Sequence, residues 1–191
     1  MQLKNSQTRY GLVAIVIHWT VALSVIGLAI LGLWMVDLSY YSPYYRTGPF
    51  WHKSIGILLF ALLVFRLLWR WFNPRPAHLP NHKRWELSLA SLVHGLLYVL
   101  LFVIVISGYL ISTATGQGIS VFGWLEVPAL ISGLPQQADR AGAVHYWAAM
   151  GVLGLAAMHA LGALKHHFFD RDDTLRRMLG MRTRQLTETR E

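Results

Sequence analysis

Nine histidines, His18, His52, His78, His82, His94, His145, His159, His166 and His167, are the residues of this chain best suited to chemistry, because most of them interrupt apolar runs. An imidazole inside an apolar helix is costly unless a partner takes its lone pair or its N–H, so each one marks a candidate site. Neutral imidazole ligates metals, and its charge changes close to neutral pH. His78 and His82 fall in a proline-rich loop and read as solvated side chains; the other seven lie within or at the ends of the apolar runs. Cysteine is absent, which removes disulfides, iron–sulfur clusters and covalent haem attachment from the available chemistries.

The elements that carry these histidines must be long and greasy. Hydrophobic residues make up 54% of the 191 and charged residues 14%, too apolar for an ordinary water-soluble domain. Four runs, about 11–36, 50–71, 88–112 and 141–164, each reach the roughly 20 residues that a helix needs to cross a bilayer. The first is too long for a signal peptide and has no small-residue cleavage site after it. Asn73-Pro74-Arg75-Pro76 ends the second. The stretch 119–134 is apolar but broken by Pro128 and Gly133, so it is expected to lie on the outer membrane face. The chain after Asp170 reads as a short amphipathic or frayed helix.

Of the 17 lysines and arginines, only Arg46, Lys53 and Arg140 fall at the end shared by the first and third loops, and the other 14 fall at the opposite end. The positive-inside rule then places both termini in the cytoplasm. The formal charge of +8 accordingly reads as a membrane-surface feature, with no nucleic-acid partner expected. The expected fold is all-α, an integral membrane four-helix bundle forming one domain over residues 1–191.

Depth sorts the intramembrane histidines into two layers. His52 opens the second span and His145 the fourth, both at the outer end. His18, His94 and His159 lie about one third of the way in from the cytoplasm, at a rise of ~1.5 Å per residue. His145 and His159 are 14 residues apart. That step returns a residue to within about 40° of the same helix face while moving it ~21 Å along the axis. Two bis-histidine haems stacked across the membrane are the economical reading, since haem iron takes neutral imidazoles on opposite faces and four-helix bundles build such sites from facing helices.

Interhelical hydrogen bonding is the plain alternative for any single histidine. A zinc site would want carboxylate or thiolate ligands, and no Asp, Glu or Cys lies inside a span. The same absence counts against a proton- or cation-coupled transporter. For the inner layer, depth alone leaves His18, His94 and His159 as candidates, with His159 favoured by its spacing from His145. Arg66, 14 residues after His52 and so one layer deeper on nearly the same face, is placed either to pair with inner haem propionates or to reach lipid headgroups.

The chain resembles the bacterial cytochrome b561 family, and within it the superoxide oxidase (superoxide:ubiquinone oxidoreductase) type, over almost its whole length. The resemblance is carried by Ile17-His18-Trp19, by Trp51-His52-Lys53-Ser54-Ile55-Gly56, by Arg66-Leu67-Leu68-Trp69-Arg70 with Pro74, and by His94-Gly95-Leu96-Leu97-Tyr98. It continues with His145, Met158-His159-Ala160, His166-His167-Phe168-Phe169 and Asp173-Thr174-Leu175-Arg176-Arg177-Met178.

The resemblance implies a multi-pass protein of the bacterial inner membrane with two noncovalent b-type haems, electron entry at the outer face and ubiquinone at the cytoplasmic one. By position it implies His52 with His145 for the outer haem and His18 with His159 for the inner. It leaves His94 and His166 for a ubiquinone site, where an imidazole can hydrogen-bond a carbonyl and deliver a proton. Superoxide, or another outer-face donor, would be drawn to Arg46, Lys53 and Arg140. Membrane lipid is an expected partner and a homo-oligomer is compatible with the sequence. Two other functions fit the same residues: a membrane-anchor cytochrome b subunit linking a partner dehydrogenase to the quinone pool, and a haem-free metal-binding or transport protein.

Overall fold

The computed structural model describes residues 2–79 and 82–181. Its elements, in chain order, are α1 (Leu12–Val36), α2 (Thr47–Phe72), α3 (Arg84–Thr113), β1 (Ile119–Val121), β2 (Leu125–Val127), α4 (Gln137–Phe168) and α5 (Thr174–Met178). α1 to α4 are all long and apolar enough to cross a membrane. Their apolar side chains are largely uncovered: Val16, Leu23, Ile26, Ile30 and Leu33 form an exposed stripe on α1. Such a surface suits lipid and would be a liability in water.

The helices run past their apolar stretches, most of all α3 and α4, because the polar residues at their ends satisfy the helix termini. Glu86 in the first turn of α3 accepts the Lys83 N–H at 3.0 Å, and Gln137 opens α4 by accepting the Leu134 N–H at 3.1 Å. Lys165, His166 and His167 occupy the last turn of α4, where positive charge favours the helix dipole. Pro49 sits in the first turn of α2, where its missing N–H costs nothing.

The contacts divide the chain into two compact units. Unit 1 takes the chain up to Thr20, Phe65–Leu97 and the residues from Leu153 onward; unit 2 takes Val21–Val64 and Tyr98–Val152. Within unit 1, α5 lies where the amphipathic tail was expected, and Trp19 donates its indole N–H to the Met178 carbonyl at 2.9 Å. Arg182, Arg184 and Arg190, counted above among the cytoplasmic cations, lie outside the described residues.

Within unit 2, the apolar stretch after α3 contains a feature the sequence reading lacked. β1 and β2 form an antiparallel hairpin in the register Ile119↔Val127, Ser120↔Glu126, Val121↔Leu125. Phe122 at φ 51° and Gly123 at φ 74° make the turn. Buried Ser54 of α2 fixes it by accepting the Phe122 N–H at 3.0 Å and donating to the Ser120 carbonyl at 3.4 Å. Tyr109 of α3 ties down the following segment, its hydroxyl donating to the Pro128 carbonyl and accepting the Leu130 N–H.

Candidate functional site

In unit 2 the rings of His52 (α2) and His145 (α4) lie edge-on to each other, with centroids 6.1 Å apart and planes 65° apart. The Nδ1 of His145 lies 2.9 Å from the Ile104 carbonyl, to which it donates, with Ser107 Oγ at 3.2 Å. A proton held on Nδ1 leaves the lone pair on Nε2. The Nδ1 of His52 is buried and has no hydrogen-bond partner among the described residues. Each ring rests against a glycine of a neighbouring helix. A Cβ on Gly32 of α1 would come within 3.2 Å of His52 Cε1, and one on Gly108 of α3 within 3.1 Å of His145 Cε1. Lys53, Arg46 and Arg140 are exposed residues of this unit.

In unit 1 three histidines converge. His159 (α4) has its ring centroid 6.2 Å from that of His18 (α1) and 4.9 Å from that of His94 (α3). Arg66 (α2) approaches His18, with Nη2 3.0 Å from Nδ1. A guanidinium only donates, so Nδ1 accepts and the proton of a neutral His18 ring sits on Nε2. Sequence reading placed Arg66 in this layer, but this bond to His18 it did not supply.

A second cluster of unit 1 surrounds the end of α4. His166 Nδ1 donates to Asp170 Oδ2 at 2.6 Å, and its ring centroid lies 4.6 Å from that of His82. His82 Nε2 in turn lies 2.7 Å from Asp172 Oδ2, with the side chains 14% and 5% exposed. This corrects the sequence expectation for His82, whose carboxylate partner lies 90 residues further along the chain. His78 is exposed, as expected. Lys165 bridges Glu86 and Asp170 at 2.7 Å each. Its hydrogen bond holds the Asp170 carboxyl below the usual carboxylate range. His94 and His166, paired in the sequence reading, thus have different neighbours: His94 packs on His159, and His166 on His82 and the aspartates.

Residues 9–181 match the family model described as prokaryotic cytochrome b561. The chain belongs to that family. Cytochrome b561 homolog 2 of Escherichia coli strain K12 is 53% identical over 180 residues, covering 94% of this chain and 96% of the relative. The protein named probable superoxide oxidase CybB of Yersinia pestis is 30% identical over 90% of this chain and 96% of its own length. Cytochrome b561 homolog 1 of the same E. coli strain is 27% identical over 91% and 98%. As a cytochrome b561, the chain is a multi-pass membrane electron-transfer protein of the oxidoreductase type, from a family that implies haem b and interacts with quinones and lipid.

The donor residues of this cytochrome b561 fit that cofactor. Iron between two imidazoles sets their centroids about 6 Å apart, from two bonds of about 2 Å and about 1.1 Å between each nitrogen and its ring centre. The separations 52–145 and 18–159, 6.1 and 6.2 Å, match this span, whereas 94–159 at 4.9 Å is too short for it. His145 already carries the tautomer that a ligating Nε2 requires. The glycine contacts were not found from sequence, where Gly32 and Gly108 look like any small residue of a membrane helix.

Proposed function

We propose that this cytochrome b561 works as a single membrane domain over 1–191, with two b-type haems, passing electrons singly from superoxide at the outer face to ubiquinone at the cytoplasmic face of a bacterial inner membrane. The observation that carries the two-haem part of this reading is the pair of nearly equal ring separations, one in each unit, each matching an imidazole–iron–imidazole span. His52 and His145 are assigned to the outer haem and His18 and His159 to the inner. Held by these histidines, haem b would supply reversible one-electron redox chemistry.

The chain's own residues divide the remaining tasks. The Ile104 carbonyl orients His145 through Nδ1, which leaves the Nε2 lone pair available. Arg66 is given to inner haem propionates. For His18 to present Nε2 as a lone pair, its proton must move to Nδ1, and Arg66 then needs another acceptor, which a carboxylate provides. Arg46, Lys53 and Arg140 draw an anionic donor toward the outer side. His94 and His166 are assigned to hydrogen-bonding the quinone carbonyls and to proton delivery. In the net reaction two superoxide anions each lose one electron and leave as O₂, and ubiquinone takes up two electrons and two protons. The relative named probable superoxide oxidase supports the choice of donor.

The test is electron entry in purified protein. Reduction by a superoxide-generating system should be fast and suppressed by superoxide dismutase, and added ubiquinone should reoxidise the haems. Sluggish reduction by superoxide, with ready reduction by quinol or a co-purifying dehydrogenase, would favour the anchor-subunit function instead.

A further inference from the structure

We propose that His82, His166 and Asp172 form a binding site for one divalent transition-metal cation of the zinc class at the end of α4. The site is separate from the haem ligands and does not depend on the haem or quinone assignments, although it shares His166 with the latter. The three donor atoms, His82 Nε2, His166 Nδ1 and Asp172 Oδ2, all lie within 4.8 Å of one another. Asp172 Oδ2 is 2.7 Å from the first and 3.4 Å from the second. A tetrahedral zinc with bonds of about 2.0 Å separates its donors by about 3.3 Å, so a small outward movement of His82 admits the ion. Two imidazoles and one carboxylate, with the fourth position left to water, are a donor set that zinc accepts readily.

The backbone builds this arrangement from three separate segments. Arg171, at φ 52°, turns the chain in the left-handed region just before Asp172. The Asp172 N–H then returns to the His166 carbonyl at 3.0 Å, which sets the carboxylate beside that histidine. Asp172 Oδ1 accepts the Thr174 N–H at 2.8 Å, so Oδ2 is the oxygen left facing His82. This is the outer support that fixes a ligating carboxylate. Without metal, His166 Nδ1 donates its proton to Asp170 and His82 Nε2 donates its proton to Asp172; zinc binding releases both protons, and Asp170, losing His166, keeps its bond to Lys165 beside the site.

The experiment uses haem-loaded protein in detergent with a purification tag that contains no histidine, stripped of loose metal by chelator. Zn²⁺ uptake is titrated against a competing indicator, and the bound ion is examined by zinc K-edge X-ray absorption. The expected result is one tight Zn²⁺ per chain with two imidazoles in its shell. His82→Ala, His166→Ala and Asp172→Asn should each weaken binding by at least about tenfold. Asp172→Asn keeps the Thr174 contact, and an unchanged haem spectrum and elution profile certify the fold of each variant. His78→Ala and His167→Ala should bind as the parent does. Absence of stoichiometric uptake, a shell with fewer than two imidazoles, parent-like binding by His82→Ala and Asp172→Asn, or loss of binding in His167→Ala would overturn the site. Because zinc is read directly, failure here leaves the superoxide and quinone tests untouched, and their failure leaves this one intact.

Discussion

The two histidine pairs have nearly equal ring separations and are held in different ways. In unit 2, His52 and His145 form an isolated pair whose rings lie against Gly32 and Gly108, and His145 is bonded to a backbone carbonyl. In unit 1, His159 has two histidines within reach, and His18 is held by a charged side chain that favours the wrong tautomer for an Nε2 ligand. A backbone carbonyl cannot leave or change charge, so His145 keeps one tautomer, whereas His52 Nδ1 has no hydrogen-bond partner among the described residues. An arginine can exchange acceptors, so the second pair can be adjusted by what else arrives. Nearly equal ring separations thus go with a carbonyl-held ring in one unit and an arginine-held ring in the other.

The largest effect that would break this comparison is loss of a whole haem. His52→Ala or His145→Ala should remove one haem of the two and leave the other's redox wave in place, and His159→Ala should do the converse. Pyridine haemochrome content with a redox titration reads both. The discriminating variants are in unit 1: His18→Ala should lose the inner haem and His94→Ala should retain both, with slower reoxidation by quinone. Retention of the inner haem in His18→Ala with its loss in His94→Ala would assign the ligand to His94 despite the short 4.9 Å separation from His159.

Partial effects should follow from the groups that hold the rings. Gly32→Ala and Gly108→Ala each push a methyl to 3.2 or 3.1 Å from the ring of a proposed ligand, His52 or His145, and crowding of this kind costs about 1–3 kcal/mol. Outer haem affinity should fall by roughly tenfold or more, as 1.4 kcal/mol is a factor of ten, while the inner haem is unaffected. Arg66→Met should spare the outer haem and lower the inner midpoint potential, because a nearby positive charge favours the reduced form. An Arg66→Met variant that shifted both waves equally would mean that the arginine acts on the whole protein and not on the inner ligand.

How much of this was legible in the sequence depends on the range of the interaction. A regular helix converts residue number into depth and face, so the two layers of histidines and their 14-residue spacing on α4 could be read without coordinates. The third histidine of the inner layer could not be excluded that way, because face and depth fix a ring only to within several ångströms, and the separations of 6.2 and 4.9 Å from His159 appear only in the structure. His82 was misjudged because its environment is made by Asp172, brought back by a turn at Arg171 that no periodicity announces. The hairpin of 119–127 escaped for a related reason: its two strands have three residues each, too few to show alternation, and Ser54, which fixes them, lies in a distant helix.

The smallest expected effect concerns charge rather than contact. From the sequence, Arg46, Lys53 and Arg140 are the lysines and arginines of unit 2, and all three are exposed, whereas every other lysine and arginine of the chain lies outside that unit. Exposed charges of this kind act through a screened field, so they change encounter rates and leave the bound haem alone. Neutralising all three should slow reduction by superoxide by roughly two- to tenfold at low salt and flatten its ionic-strength dependence, with both haem spectra unchanged. The parent rate should fall as salt rises, because screening weakens the attraction between an anion and a positive surface. Neutralising Arg75, Lys83 and Arg84 in unit 1 is the matched control, and it should leave the rate of electron entry as it was. If the unit 1 variant slowed superoxide reduction and the unit 2 variant did not, the donor would enter beside the arginine-held pair, and the assignment of outer and inner haems would have to be exchanged.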